Sequence, residues 1–214
     1  MKEIAIIGAG GFGKEVKMLI DNINKIEEQY KFVGYYDDGI EAGSMVNGFP
    51  VLGPVDHINL ITKPLAIVVA IGNPALKYKL LQKIRSSQVS YPTLVHPSVI
   101  IGEDDVNIGE GCVICAGNFI TVNIKIGNFV ILNLACTVGH DTTIEDYCSF
   151  MPSVNVSGEV LIQEGVYVGT GAKIINLLTI GKWTTVGAGA VVAKSLPERC
   201  TAVGIPAKPI KFHE

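Results

Sequence analysis

Every sixth residue from Ile108 to Val192 is apolar: Ile108, Ile114, Ile120, Ile126, Leu132, Val138, Ile144, Phe150, Val156, Ile162, Val168, Ile174, Ile180, Val186 and Val192. Hydrophobic residues make up 48% of the chain, so this register would arise by chance about 2 times in 100,000. Four residues beyond these positions the side chains are mostly small or β-branched, as at Cys112, Cys136, Cys148, Val154, Val166, Ala172 and Ala190. Glycine often follows the apolar position, as at Gly109, Gly127, Gly139, Gly169, Gly181 and Gly187. A six-residue period suits neither a helix nor one long alternating strand. It suits short strands joined by tight corners, three to a coil, stacked as a parallel β-solenoid of about five coils. The apolar residues then point inward, and Cys112, Cys136 and Cys148 become packing residues at one offset of the repeat. The stretch from Ile101 to Asn107 adds an earlier turn with one residue too many.

The first ninety residues obey a different rule. Ile4-Ala5-Ile6-Ile7 is a short apolar run that suits a buried parallel strand. It leads into Gly8-Ala9-Gly10-Gly11-Phe12-Gly13, and Val16, Leu19, Ile20 and Ile23 then recur at helical spacing. Phe32–Tyr36 and Pro64–Ala70 read as further strands, and Leu76, Leu80, Leu81 and Ile84 as a second amphipathic helix. The alternation implies a small Rossmann-like α/β domain. Its G-x-G-x-x-G loop lies between strand and helix, where glycines allow close approach to a phosphate at a helix N-terminus. Asp37 ends the second strand, where such folds place an acid for a ribose; alternatively Asp37, Asp38 and Gly39 only form a turn. The sheet is too short for a full dinucleotide domain. Tyr91-Pro92-Thr93-Leu94-Val95-His96-Pro97 reads as the join, giving domains 1–94 and 95–214.

The balance of 17 Lys+Arg against 20 Asp+Glu leaves no basic footprint for nucleic acid. Apolar runs are too short for a membrane span, and the N-terminus reads as a strand, not a secretion signal. Five Cys, an odd number, suggest free thiols in the cytoplasm. With only four His, and only His140 inside the solenoid, no metal site is expected. Imidazole titrates near neutrality, which makes His140 a candidate general base. Its neighbour Asp141 could pair with it only at a corner or across subunits, because adjacent residues of a strand face opposite ways.

Several segments together resemble one family: Gly8 to Val16, Tyr36-Asp37-Asp38, Ala70-Ile71-Gly72-Asn73, His96-Pro97-Ser98, Gly139-His140-Asp141 and the ending Val203-Gly204-Ile205-Pro206-Ala207-Lys208. They resemble the sialic acid O-acetyltransferases and nucleotide amino-sugar N-acetyltransferases of the NeuD and PglD type, whose solenoid is a left-handed β-helix. The resemblance implies homotrimers with acetyl-CoA bound between adjacent solenoids, and a nucleotide-sugar acceptor, expected to be UDP-linked, on the N-terminal domain. It makes His140 the base and Asp141 the acid that raises its basicity. It places the acceptor on Gly10, Gly11, Phe12, Asp37, Asp38 and Gly72, with Asn133 near the acceptor amine. Ser149, Gly158, Thr170 and Ala188 match positions lining the coenzyme. Phe12 and Ser149 depart from the pattern, since both stand where histidine is found. The implied reaction is direct N-acetylation of a 4-amino-dideoxy sugar. Alternatives are O-acetylation of a sialic acid, a non-catalytic nucleotide-sugar-binding protein and, least of all, a nicotinamide oxidoreductase.

Overall fold

The structure, a computed structural model, describes residues 1–213. The N-terminal domain runs β1 (Lys2–Ile7), α1 (Gly11–Ile26), β2 (Tyr30–Tyr36), β3 (Met45–Val46), β4 (Phe49–Gly53), a 3-10 helix (Val55–Leu60), β5 (Leu65–Val69), α2 (Pro74–Lys83) and β6 (Val89–Ser90). Its sheet has the order β3-β4-β2-β1-β5-β6, parallel except where β3 meets β4. The Ile4–Ile7 run does not alternate because both faces of the sheet are covered. Ile4 and Ile6 pack with Val16, Leu19 and Ile20 of α1, while Ala5 and Ile7 pack with Val55, Ile58 and Leu80.

The solenoid begins at Leu94, which pairs with Val113, so the chain joins its domains through residues 91–93. Three sheets form its walls. The first is eight-stranded and ends in an antiparallel hairpin of Cys200–Gly204 with Ala207–Phe212; the second has six strands and the third five. From Val106 to Val192 each strand pairs in parallel with the one eighteen residues on, as Ile131-Leu132 does with Ser149-Phe150; the first coil is one residue longer, as Leu94 with Val113 and Ile100 with Phe119. Fourteen of the fifteen hexad positions are at most 4% exposed, and only Ile108 at the start is half-buried. One stacked core therefore runs the length of the solenoid.

The corners explain how a six-residue period closes. Each turns through one residue with positive φ, repeated every eighteen positions: Asp105, Asn123, Asp141, Glu159 and Leu177 at one edge; Gly117, Ala135, Ser153, Gly171 and Gly189 at another. The third edge carries Gly111, Phe129, Tyr147, Gly165 and Trp183. A left-handed non-glycine residue costs about 1 kcal/mol, which the stacked coils offset.

The two domains share a core. Leu94, Val113, Cys115 and Ile131 face outward from the first sheet into the cluster built by α1. All five cysteines are unpaired and buried. No helix among the described residues is long and apolar enough to cross a membrane.

Candidate active site

The glycine loop folds as its spacing suggests. A Cβ on Gly13 would run into the Gly8 carbonyl oxygen, so the third glycine lets α1 pack against the loop. Gly10 and Gly11 have open space beside them, which leaves the N-terminus of α1 accessible. Phe12 is half-buried against the α1 cluster.

Asp37 does two things at once. Its Oδ2 accepts the Ala9 N–H at 2.8 Å, tying β2 to the glycine loop, and its Oδ1 accepts the Gly39 N–H at 2.8 Å, forming an Asx turn. Asp38 Oδ1 accepts the Val55 N–H at 2.8 Å. Both carboxylates border a cavity of about 260 Å³ at the carboxyl ends of β1, β2 and β5, floored by Ile7, Gly8, Ile71, Leu76 and Leu80. Strand order reverses there, since β1 has β2 on one side and β5 on the other. Gly72 lies beyond it, at the mouth of a cleft of about 880 Å³ that reaches Met151, Tyr167, Trp183 and Arg199 of the solenoid.

His140 and Asp141 occupy the corner between the second and third walls. Asp141 adopts φ 57°, which turns its carboxylate back onto its neighbour. His140 Nδ1 lies 2.7 Å from Asp141 Oδ2, so the corner makes a pairing that a strand forbids. Asn123, one coil below at the same corner position, donates to Asp141 Oδ1 at 2.9 Å. These hydrogen bonds, from His140 first and Asn123 second, hold the Asp141 carboxyl below the usual carboxylate range. An ionised Asp141 only accepts, so it fixes the Nδ1–H tautomer and leaves the Nε2 lone pair free. Gly158 lies directly above, and a Cβ there would sit 2.5 Å from His140 Cε1 and Nε2. Gly158 is buried, and its N–H has no acceptor among the described residues.

Asn133, Thr170 and Ala188 stand at a different corner, between the first and second walls. Asn133 is 6% exposed, and its Oδ1 accepts the Leu134 N–H at 2.7 Å. Thr170 and Ala188 are exposed in a column with Gly171 and Gly189, beside which there is open space. The whole second wall separates this column from His140, so one chain does not bring the two sets together. Ser149 corrects the expectation made for it. It is fully buried beneath α2, with its Oγ 3.0 Å from Lys77 Nζ, and cannot line a coenzyme groove. The outward position of a strand is open only where no second domain covers it, and here one does.

Three features escaped the sequence reading. Asn123 was visible in principle, because it precedes Asp141 by one coil. Lys77 lies on the buried stripe of α2 with Pro74 and Leu80, whereas Leu76 is 47% exposed. Tyr78 of α2 packs edge-on against Tyr147 and Trp183 at the third corner, 5.2 and 5.8 Å between ring centroids. No group of three or more His, Cys, Asp or Glu suited to a metal occurs among the described residues.

Residues 3–84 match the PglD N-terminal domain family. Over 99% of the chain, the sequence is 32% identical to a GDP-perosamine N-acetyltransferase from Escherichia coli O157:H7, of which it covers 97%. The chain belongs to the NeuD/PglD-type hexapeptide-repeat acetyltransferases. Among solved members, PerB from Caulobacter crescentus in complex with CoA and GDP-perosamine superposes with a TM-score of 0.84 at 32% identity, over 99% of this chain and 98% of that one. The acetyltransferase domain of PglB from Neisseria gonorrhoeae FA1090, in complex with acetyl coenzyme A, gives 0.88 at 33%, over 98% and 99%. This acetyltransferase therefore has the left-handed β-helix of its family, and acetyl-CoA is its co-substrate.

Proposed function

We propose that this enzyme transfers the acetyl group of acetyl-CoA to the amino group of a nucleotide-linked amino sugar, with His140 as general base, at a site completed by two copies of a homotrimer. The observation that carries the reading is the His140–Asp141 pair at 2.7 Å, which leaves Nε2 as the free acceptor beside the unpartnered Gly158 N–H. The neutral amine attacks the thioester carbonyl while Nε2 takes the amine proton. Gly158 N–H stabilises the oxyanion. As the intermediate collapses, the C–S bond breaks and the departing thiolate recovers the proton from Nε2. No acyl-enzyme is needed, and holding both substrates in one cleft supplies the orientation.

The nucleotide is assigned to the cavity bounded by Gly8, Asp37 and Asp38, with its phosphates at Gly10 and Gly11 and the sugar passing Gly72. Thr170 and Ala188 are assigned to the coenzyme and Asn133 to the acceptor side. The full-length relative acts on a GDP-linked sugar, which favours guanine over the uracil first expected. A thermal-shift panel of GDP-, UDP- and CMP-linked amino sugars with acetyl-CoA tests this, because a ligand of the folded state raises its melting temperature. Stabilisation by none of the nucleotides, together with acetyl transfer to a free sialic acid, would overturn it.

A trimer is expected because the second wall and its edges expose Ile100, Phe119, Leu134, Ile175 and Leu177 at 56%, 45%, 36%, 41% and 65%. Packing copies around that wall would bring His140 of one towards Thr170 and Ala188 of the next. A monomer by sedimentation at micromolar concentration would count against both. Unpaired, buried thiols support a reducing, cytoplasmic setting.

Asp37→Ala should raise the acceptor KM by about 10- to 100-fold, as expected for losing charged hydrogen bonds worth roughly 1.5–3 kcal/mol. The KM for acetyl-CoA should stay within about twofold. An unchanged acceptor KM would mean that Asp37 serves only its own turn.

A further inference from the structure

Lys77 is the one fully buried lysine among the described residues, and the reaction derived above gives it no part. It is 1% exposed, between α2 and the first wall of the solenoid. Its Nζ reaches the Ser149 Oγ at 3.0 Å and the Cys148 carbonyl at 3.3 Å. No carboxylate stands within ion-pairing distance of it among the described residues. The titratable groups facing it are the Cys148 and Cys112 thiols, which burial pushes up to about 12 and 11, so they stay neutral. Burying an amine without a counter-ion is unfavourable, and a methionine would fill the same space at less cost. What the lysine adds is direction, because its hydrogen bonds fix one seat for α2 on one coil.

That seat matters because of what else α2 carries. Leu76 and Leu80 form one side of the cavity that holds Asp37 and Asp38. Asn73 caps α2 through the Leu76 N–H, and Gly72 before it meets Met151, whose Cε would lie 3.6 Å from a Cβ at that glycine. Ser149 and Met151 belong to the same stretch of the first wall, nine and eleven residues beyond His140. The lysine hydrogen bonds, with Gly72 and Met151 lining one cleft, thus hold the acceptor-side helix and loop on one stretch of the first wall. Tyr78 adds apolar contact through Tyr147 and Trp183 but no hydrogen bond that fixes height.

We propose that Lys77 is a positioning residue for the acceptor: tethered to Ser149 and Cys148, it sets the height of α2 over the solenoid and so the place of the acceptor amine. This rests on the acetyl-transfer reading above. It also gives Ser149 a role, as the partner of that tether.

The test is Lys77→Met, with Ser149→Ala alone and combined with it. In Lys77→Met, kcat/KM for the acceptor should fall about tenfold, the range expected when a substrate is misplaced by a fraction of an ångström. The KM for acetyl-CoA should stay within about twofold, since its column lies at another corner. Ser149→Ala should give a smaller loss of the same kind and add little on top of Lys77→Met, because the two act as one unit. Acceptor kinetics within about twofold of wild type in both single variants would overturn the proposal; if Lys77→Met fails to fold, Ser149→Ala decides alone.

Two readouts stand without turnover. Hydrogen exchange across residues 73–83 should speed up in Lys77→Met while residues 11–26 stay protected. Burial lowers the Lys77 pKa from 10.5 to about 7, so between those values the unfolded chain holds a proton that the folded one has released. Wild-type stability should therefore climb from about pH 7 towards pH 10 relative to Lys77→Met, and level off below 7, where both states hold the proton. If the wild type acetylates no nucleotide-linked amino sugar, the functional reading fails, and unchanged exchange in residues 73–83 would then sink the tether separately.

Discussion

His140→Ala should lower kcat by about 10²- to 10⁴-fold, the range for a lost acid–base catalyst. The geometry makes the effect specific to the chemical step. Nδ1 is committed to Asp141 at 2.7 Å, so the atom lost to the reaction is Nε2. With the imidazole directed at the acceptor amine rather than the pantetheine arm, as proposed, affinity for acetyl-CoA should change little. The residual rate of the variant should rise with pH as more of the acceptor amine becomes free base. Near wild-type kcat in His140→Ala, with chemistry shown to be rate-limiting, would refute the base assignment. Asp141→Asn should give a weaker form of the same defect, because the neutral amide still orients the ring but no longer supports an imidazolium. Asp141 is held below the ordinary carboxylate range by His140 and Asn123, so it stays ionised at any pH where the imidazole can serve as a base.

The solenoid was legible because its determinant is local and repeated. Each hexad residue meets only its equivalents one coil above and below, so a period in sequence is a stack in space. The same logic would have found Asn123, since a polar residue one coil before Asp141 occupies the same corner. The α/β domain was legible at its buried strands and at the glycine loop, where Gly13 has no room for a side chain. The 3-10 helix and the short β3–β4 hairpin were missed, because short elements carry too few residues to show a period. Lys77 and Ser149 were illegible for a different reason. Apolar counting put Leu76 on the buried side of α2, but that leucine lines a cavity and Lys77 takes the packed position. Which face of α2 is buried depends on how the two domains dock, and docking is written in shape rather than in periodicity. Likewise nothing in the repeat signals that Ser149 lies under a helix of the other domain.

Gly158→Ala should disable the enzyme while leaving both His140 and Asp141 unsubstituted. The added methyl would arrive 2.5 Å from His140 Cε1 and Nε2, well inside contact distance, so the imidazole must move. A displacement of about 1 Å at a reacting group costs on the order of 10²-fold in rate. The backbone is not what suffers: the positive φ at this corner belongs to Glu159, so alanine brings steric bulk rather than dihedral strain. Alanine also keeps the N–H that is assigned to the oxyanion. A fall in kcat with an unchanged KM for acetyl-CoA would therefore trace to the displaced imidazole. If instead the KM for acetyl-CoA rises while kcat holds, the methyl blocks the coenzyme and Gly158 belongs to its binding surface. Combining Gly158→Ala with His140→Ala separates the two further. Should the glycine act through the ring, the double variant will be no slower than His140→Ala alone, because the ring that alanine displaces is already gone.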